Sequence, residues 1–138
     1  MQNTWKWSLV LLVVASVCLT ACRVRLDRTL WVLHSYGQSG NEKPVLAGTE
    51  IIAEFDGAAG QVSGSAGCNK YFGDYEASGV RLSISNLGWT EMACAEPVMS
   101  QEQQYLTALQ ASESYEMQYG RLRIFCSGGQ VLTFAARK

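Results

Sequence analysis

The chain has 138 residues, of which 48% are hydrophobic, and it carries 11 basic residues, 12 acidic residues and five cysteines. This length fits a single domain. The near-zero net charge excludes the basic footprint of a nucleic-acid-binding protein, and the charged fraction of 17% excludes a charge-rich disordered chain. We therefore expect one folded domain that does not use nucleic acid as a partner.

The N-terminal segment is apolar from Leu9 to Ala21 and follows a single basic residue, Lys6. As a helix, this stretch would reach roughly 20 Å at about 1.5 Å per residue, which is short of the ~30 Å hydrocarbon core of a bilayer. The pattern is therefore typical of a secretory signal peptide rather than of a transmembrane anchor.

The four residues Leu19-Thr20-Ala21-Cys22 resemble a bacterial lipobox, in which lipoprotein signal peptidase cuts before a cysteine that carries a diacylglycerol group. Cleavage there would remove residues 1–21 and leave Cys22 as the lipid-bearing first residue. Two or three acyl chains hold a protein stably on a bilayer, whereas a single chain does not. The alternative is an ordinary signal peptide that ends near Ala21.

Arg23 after the lipobox, in place of aspartate, resembles the signal that sorts lipoproteins to the outer membrane. We therefore expect a protein anchored through Cys22 at the periplasmic face of the outer membrane, with the inner membrane as the alternative. Residues 22–28 would then form a tether between the lipid and the domain.

The cysteines also point to an oxidising compartment. Cys18 would leave with the signal peptide and Cys22 would carry lipid, so only Cys68, Cys94 and Cys126 remain. Three cysteines can form one intramolecular disulfide. We predict the pair Cys68 and Cys94, which stabilises by about 3.5 kcal/mol on chain entropy alone, and a buried free thiol at Cys126. The alternative is three reduced, buried thiols.

Short strands separated by glycine-rich turns follow the tether. Alternating apolar residues predict strands at 29–36, 50–56, 61–65, 71–77, 80–85, 115–119, 122–126 and 130–135. One helix is predicted over 96–111, because Pro97 suits a first turn and the apolar residues Val98, Tyr105, Leu106 and Leu109 share a face. The expected fold is α+β and mostly antiparallel, a curled sheet or open barrel of seven to eight short strands with one packed helix.

Two motifs within the strands and the loop before the helix resemble those of META-domain proteins, the HslJ-like bacterial envelope lipoproteins. They are Gly67-Cys68-Asn69, inside the segment 64–75, and Thr90-Glu91-Met92-Ala93-Cys94. The resemblance extends over nearly all of 29–136, so we assign residues 29–138 to a META domain. It implies a curved antiparallel sheet with a packed helix and residence in the envelope. For some members it also implies an association with heat shock, stress response and drug tolerance.

Candidates for catalysis are few. His34 is the only histidine, so the sequence offers no histidine pair for a metal and one candidate general base. A dyad of His34 with Cys68 or Cys94 would need a free thiol, which the predicted disulfide removes. We therefore predict no catalytic residues, no metal and no cofactor.

Two classes of function fit these observations. The first is a non-enzymatic envelope lipoprotein, a stress-related binding or structural module for another envelope component, with protein inhibition of a hydrolase as a subtype. The candidate contact residues are Asn69, Tyr71 and Trp89, with Tyr36 and Tyr119 as further aromatic candidates. The alternative is a carrier or pilot protein that holds an apolar ligand such as an acyl chain, in a cavity lined by Phe55, Leu82, Ile84, Leu106, Leu109 and Phe134.

Overall fold

A computed structural model describes residues 24–138, and every structural statement below refers to them. The predicted signal peptide and Cys22 lie outside the described residues. The elements in chain order are β1 (Leu30–Gln38), β2 (Lys43–Pro44), β3 (Ile52–Asp56), β4 (Gln61–Ser65), β5 (Lys70–Ser78), β6 (Arg81–Trp89), α1 (Val98–Gln110), β7 (Ser112–Gln118), β8 (Arg121–Cys126) and β9 (Gln130–Arg137).

The strands form one antiparallel sheet that closes on itself. From β3 to β9 each strand pairs with the next, and β1 pairs with both β3 and β9. The closing register runs from Leu30 opposite Arg137 to Gln38 opposite Gln130, and β2 is a short edge strand on β1. The prediction of a mostly antiparallel α+β fold of seven to eight strands with one helix is confirmed, and the pairing of β1 with β9 closes it into a barrel.

The helix lies where the wall of the barrel is weakest. Strands β6 and β7 are joined through a single residue pair, Arg81 opposite Ser114. The helix α1 connects these two strands in the chain and packs against β6, β8 and β9. Its buried face includes Tyr105, Leu106 and Leu109, three of the four residues predicted on its apolar stripe. The helix therefore covers the barrel interior beside this seam.

Aromatic side chains fill the centre of the barrel. Trp31, Tyr71, Tyr105 and Phe134 are at most 2% exposed. The rings of Tyr71 and Tyr105 meet edge to face with centroids 5.6 Å apart, and the rings of Tyr105 and Phe134 do so at 6.3 Å. Such offset geometries are the favoured ones for aromatic pairs. The helix is thus joined to the sheet through the ring of Tyr105.

The barrel has two unlike ends. Because successive strands alternate in direction, the turns after β3, β5 and β7 lie at one end, together with the start of β1 and the end of β9. We call this the hairpin end. The opposite end holds the β4–β5 turn (66–69), the segment 90–97 after β6, the turn after β8 and the first turns of α1. We call this the helix end.

Residues 24–28, part of the predicted tether, pack on the barrel at the hairpin end. Leu26 is 7% exposed and belongs to the core. Its carbonyl accepts a hydrogen bond from Trp31 Nε1 at 3.0 Å, and Asp27 forms an isolated bridge with Phe55. The chain is therefore held against the barrel from Leu26 onwards.

Candidate functional site

Asn69 lies at the centre of the helix end and is 2% exposed. Its side-chain oxygen accepts hydrogen bonds from Thr90 Oγ1 at 2.8 Å and from the backbone N–H of Met92 at 2.7 Å. Its side-chain nitrogen donates to the carbonyl of Met92 at 3.1 Å and to Glu102 Oε1 at 2.5 Å. Both hydrogens and both lone pairs of the amide group are used. Asn69 therefore fastens the segment after β6 to the β4–β5 turn and to the helix.

Glu102 on α1 completes this network from the opposite side. It is 3% exposed, and its Oε2 accepts hydrogen bonds from the backbone N–H groups of Cys68 at 3.0 Å and Asn69 at 2.6 Å. With the bond to the Asn69 side chain, the carboxylate has three donors, which is what a buried carboxylate requires.

This role of Glu102 is not among the predictions from the sequence. A signal was present, because Glu102, Tyr105, Leu106 and Leu109 follow the spacing of a buried helical face. A glutamate on such a face needs fixed partners inside the protein. The neighbouring Gln101 also links α1 to a loop, since its side chain accepts a hydrogen bond from the backbone N–H of Leu46 at 2.7 Å and donates one to Thr49 Oγ1 at 2.9 Å.

The disulfide closes the same region covalently. Cys68 and Cys94 are bonded, with their Cα atoms 6.1 Å apart, and this is the pair predicted from the sequence. Cys126 is the free, buried cysteine of the described chain, and burial raises its pKa to about 12. His34 is exposed on β1. The structure therefore offers no thiol at Cys68 or Cys94 to form a dyad with that imidazole.

Two contacts of the segment 64–75, which contains the Gly-Cys-Asn motif, explain why Gly64 and Tyr71 occupy their positions. A Cβ atom at Gly64 would lie 1.9 Å from the carbonyl oxygen of Ile52, so only glycine allows β3 and β4 to approach this closely. That carbonyl also accepts the hydroxyl of Tyr71 at 3.0 Å, and the Tyr71 and Tyr105 hydroxyls are 2.8 Å apart. Burial raises the pKa of Tyr71, so it stays protonated in the core.

Of the predicted contact residues, only the exposed ones are accessible to a partner. Asn69, Tyr71 and Tyr36 are 2%, 2% and 4% exposed, so a partner of the folded protein does not reach them. Tyr71 and Tyr36 belong to the barrel core, whereas the Asn69 amide is buried in the network at the helix end. Trp89 is 47% exposed at the helix end, and Tyr119 is 94% exposed at the hairpin end.

Trp89 belongs to a group of exposed apolar side chains that we call the helix-end patch: Phe72, Trp89 and Met92. Phe72 and Met92 are 62% and 58% exposed. Phe72 lies opposite Gly88, and its ring occupies the space beside Gly88, where a Cβ would come within 2.8 Å. Trp89 pairs with Tyr71 in the sheet, so its side chain lies on the inner face at the mouth of the barrel, whereas Phe72 lies on the outer face. Both backbone polar groups of Met92 are held by Asn69. The patch therefore presents apolar side chains around the rim of the barrel on a fixed backbone.

Three clefts of the described surface bear on the carrier hypothesis. Three clefts have volumes of about 390, 500 and 560 Å³ and are lined mainly by polar residues. Of the six residues that the carrier hypothesis places around a cavity, Phe55 lines the first cleft and Leu82 the third. All six are 0–5% exposed and belong to the barrel core. None of these clefts is therefore the apolar cavity that a carrier would use.

Two further observations concern residues 24–138. No three histidine, cysteine, aspartate or glutamate side chains in this range lie close enough together to hold a metal ion. None of the helices formed by these residues combines the length and the apolar character that crossing a membrane would need.

Comparison with known proteins agrees with the fold. The NMR structure of a protein from Burkholderia xenovorans is 31% identical, with a TM-score of 0.69 over 82% of this chain and 84% of that chain. A second NMR structure is 23% identical, with a TM-score of 0.63 over 82% and 95% of the two chains. The crystal structure of a DUF4847 family protein from Bacteroides vulgatus is 18% identical, with a TM-score of 0.58 over the same shares. The last two likenesses show the fold alone.

No curated protein sequence matches this chain. The META domain family model, in contrast, matches residues 24–138, which is the whole of the described structure. The chain therefore belongs to the META domain family.

Proposed function

We propose that this META-domain protein is a non-enzymatic lipoprotein of the bacterial envelope, and that its helix-end patch binds another envelope component. The observation that carries this proposal is the exposure of Phe72, Trp89 and Met92 on a backbone fixed by the disulfide and by the network of Asn69 and Glu102. Exposed aromatic and methionine side chains on a rigid support are typical of binding surfaces, because little conformational entropy is lost on binding.

The chemistry of the described residues supports binding over catalysis. The exposed histidine has no partner thiol, because Cys68 and Cys94 are bonded to each other. Glu102 is buried and occupied by three donors, so its oxygens are not presented to a substrate. The same surface would suit the inhibitor subtype, in which the bound component is a hydrolase.

The envelope location rests on the lipobox and on Arg23. Mass spectrometry of the N-terminal peptide of the mature protein should find a diacylglycerol-modified Cys22, and the Cys22→Ser variant should lose that mass and leave the membrane fraction. An unmodified peptide that begins elsewhere would contradict the anchor.

A stress-related role follows from the family resemblance, and it predicts that a deletion strain loses tolerance to heat or to envelope stress.

Site-specific photo-cross-linking in cells tests the binding surface. A photoreactive residue at Met92 should give a discrete cross-linked species, and the Trp89→Ser change in the same chain should abolish it, because Trp89 is exposed three residues before Met92. The matched control carries the photoreactive residue at Ser83, which is exposed on the outer wall of β6. Cross-linking with equal yield from Ser83, or a Met92 species that survives loss of Trp89, would contradict the proposal.

A further inference from the structure

The hairpin end carries a second group of exposed apolar side chains, separate from the helix-end patch. Tyr119 is 94% exposed at the tip of the β7–β8 hairpin, and Val80 is 69% exposed at the tip of the β5–β6 hairpin. Met117 and Val24 at the same end are 38% and 41% exposed. We call Tyr119, Val80, Met117 and Val24 the hairpin-end group.

The chain reaches the barrel at this same end. Leu26 is buried, its carbonyl holds the indole of Trp31, and Asp27 bridges to Phe55 beside the β3–β4 turn. Val24, the first described residue, is only two residues from Cys22, and two residues span at most about 7 Å. A lipid on Cys22 would therefore lie close to the hairpin end, with no long flexible tether to separate the barrel from the bilayer.

We infer that the hairpin end rests on the phospholipid surface, with Tyr119 and Val80 at the level of the headgroups, so that the helix-end patch projects away from the membrane. This inference rests on the lipid anchor of the proposed function. Tyrosine is enriched at membrane–water interfaces because its ring is apolar and its hydroxyl is polar, and apolar side chains beside it add burial at the same depth.

The charges of this end are compatible with such a surface. Arg28, Arg121 and Lys138 are exposed there and take part in none of the four ion pairs of the described residues. Glu54, Asp56 and Glu76 are exposed at the same end, so the basic and acidic charges there nearly balance. The apolar tips rather than the charges therefore make the specific contact, and the anchor supplies the attachment.

The geometry then fixes the height of the helix-end patch. Strand β1 has nine residues, and at about 3.3 Å per residue it is about 30 Å long, or roughly 20–25 Å along the barrel axis once tilted. The patch would be held at about this height above the bilayer, where it faces a periplasmic domain rather than the lipid.

Fluorescence quenching on vesicles tests the orientation. The mature lipidated protein is placed on vesicles of phosphatidylethanolamine and phosphatidylglycerol that contain a headgroup-linked quencher, with one fluorophore attached at Tyr119→Cys or at Met92→Cys. Labelling is selective because Cys126 is buried and the other described cysteines are bonded. We expect several-fold stronger quenching at residue 119 than at residue 92. A control label at Gln118→Cys should lose quenching when Tyr119→Ser and Val80→Ser are introduced together.

The outcomes separate the inference from the proposed anchor. If the wild type floats with vesicles, the Cys22→Ser variant does not, and quenching differs as expected, both stand. If the wild type floats but residues 119 and 92 are quenched equally, or more at 92, the orientation is wrong while the anchor stands. If the wild type and Cys22→Ser behave alike in flotation, the lipid anchor and the inference that rests on it both fail.

Discussion

The two ends of the barrel are built from different kinds of interaction. At the hairpin end the chain turns through short loops such as Tyr119-Gly120, whose positive φ values of 52° and 73° suit a tight hairpin. At the helix end the loops are held by side chains distant in sequence, such as Glu102 on Cys68 and Asn69, 33 or 34 residues away. The turns of the hairpin end are therefore specified locally, whereas the network of Asn69 and Glu102 at the helix end exists only when the whole domain is folded.

The largest expected effect falls on the helix end. The Glu102→Ala change leaves three donors without an acceptor, two of them buried and that of Cys68 partly buried. Each buried group without a partner costs about 1–3 kcal/mol, so we expect the free energy of unfolding to fall by about 4 kcal/mol. Denaturant unfolding measures this. The matched control is Gln103→Ala, the exposed neighbour on the same helix, which should change stability by less than about 0.5 kcal/mol. Equal effects at both positions would contradict the central role of the carboxylate.

Loss of the disulfide should come next. Replacing Cys68 and Cys94 together by serine opens a link between residues 26 apart in sequence, which corresponds to about 3.5 kcal/mol of chain entropy in the unfolded state. Denaturant unfolding of this variant against the wild type measures the loss. Mass mapping of unreduced protein should find these two cysteines linked and Cys126 free, and a linked Cys126 would show that the pairing is wrong.

At the hairpin end, the prediction compares the stability of variants at the buried Leu26 and at the exposed Val24. Its side chain is 7% exposed, so Leu26→Ala should lower the free energy of unfolding by about 2–4 kcal/mol. Val24→Ala, at a position that is 41% exposed, should have little effect in the same thermal or denaturant unfolding experiment. If the two variants were equally stable, residues 24–28 would be a tether without a structural role.

The smallest expected effect on stability comes from the buried thiol of Cys126, and it arises only at alkaline pH. Burial raises the pKa of Cys126 to about 12, so the unfolded chain loses this proton at lower pH than the folded one. Stability is therefore unaffected at pH 7 and falls as the pH rises above about 9, where the unfolded thiol ionises. Denaturant unfolding between pH 7 and 10 should show this slope in the wild type, and Cys126→Ala should reduce it. An unchanged slope in the variant would exclude Cys126 as its source.

The contrast between the ends also explains what the sequence could predict. Alternation of apolar residues and glycine turns are local signals, so the hairpins of β3–β4, β5–β6 and β8–β9 follow from them, as does α1 to within two residues of its start. The helix-end network depends on contacts between α1 and residues 46, 49, 68 and 69, and no local pattern encodes such partners. The sequence therefore indicates Asn69 only as a candidate contact residue, whereas in the structure its amide is fully used inside the protein.

Closure of the barrel was not predicted for the same reason. The alternating apolar residues at 130–135 indicate a strand, but they do not indicate which other strand pairs with it. The partner is β1, about 100 residues earlier in the chain. The burial of Leu26 could not be predicted either, because the seven residues 22–28 of the predicted tether carry no regular apolar pattern.

The pairing of β1 with β9 also has a consequence for how the protein is made. The partner of the first long strand is the last strand of the domain, and contacts this distant in sequence make folding slow. Until β9 has been synthesised, one edge of β1 stays unpaired, and unpaired edges favour association with other chains. A chain that ends before β9 cannot close the barrel, so the domain completes its fold only after β9 is available.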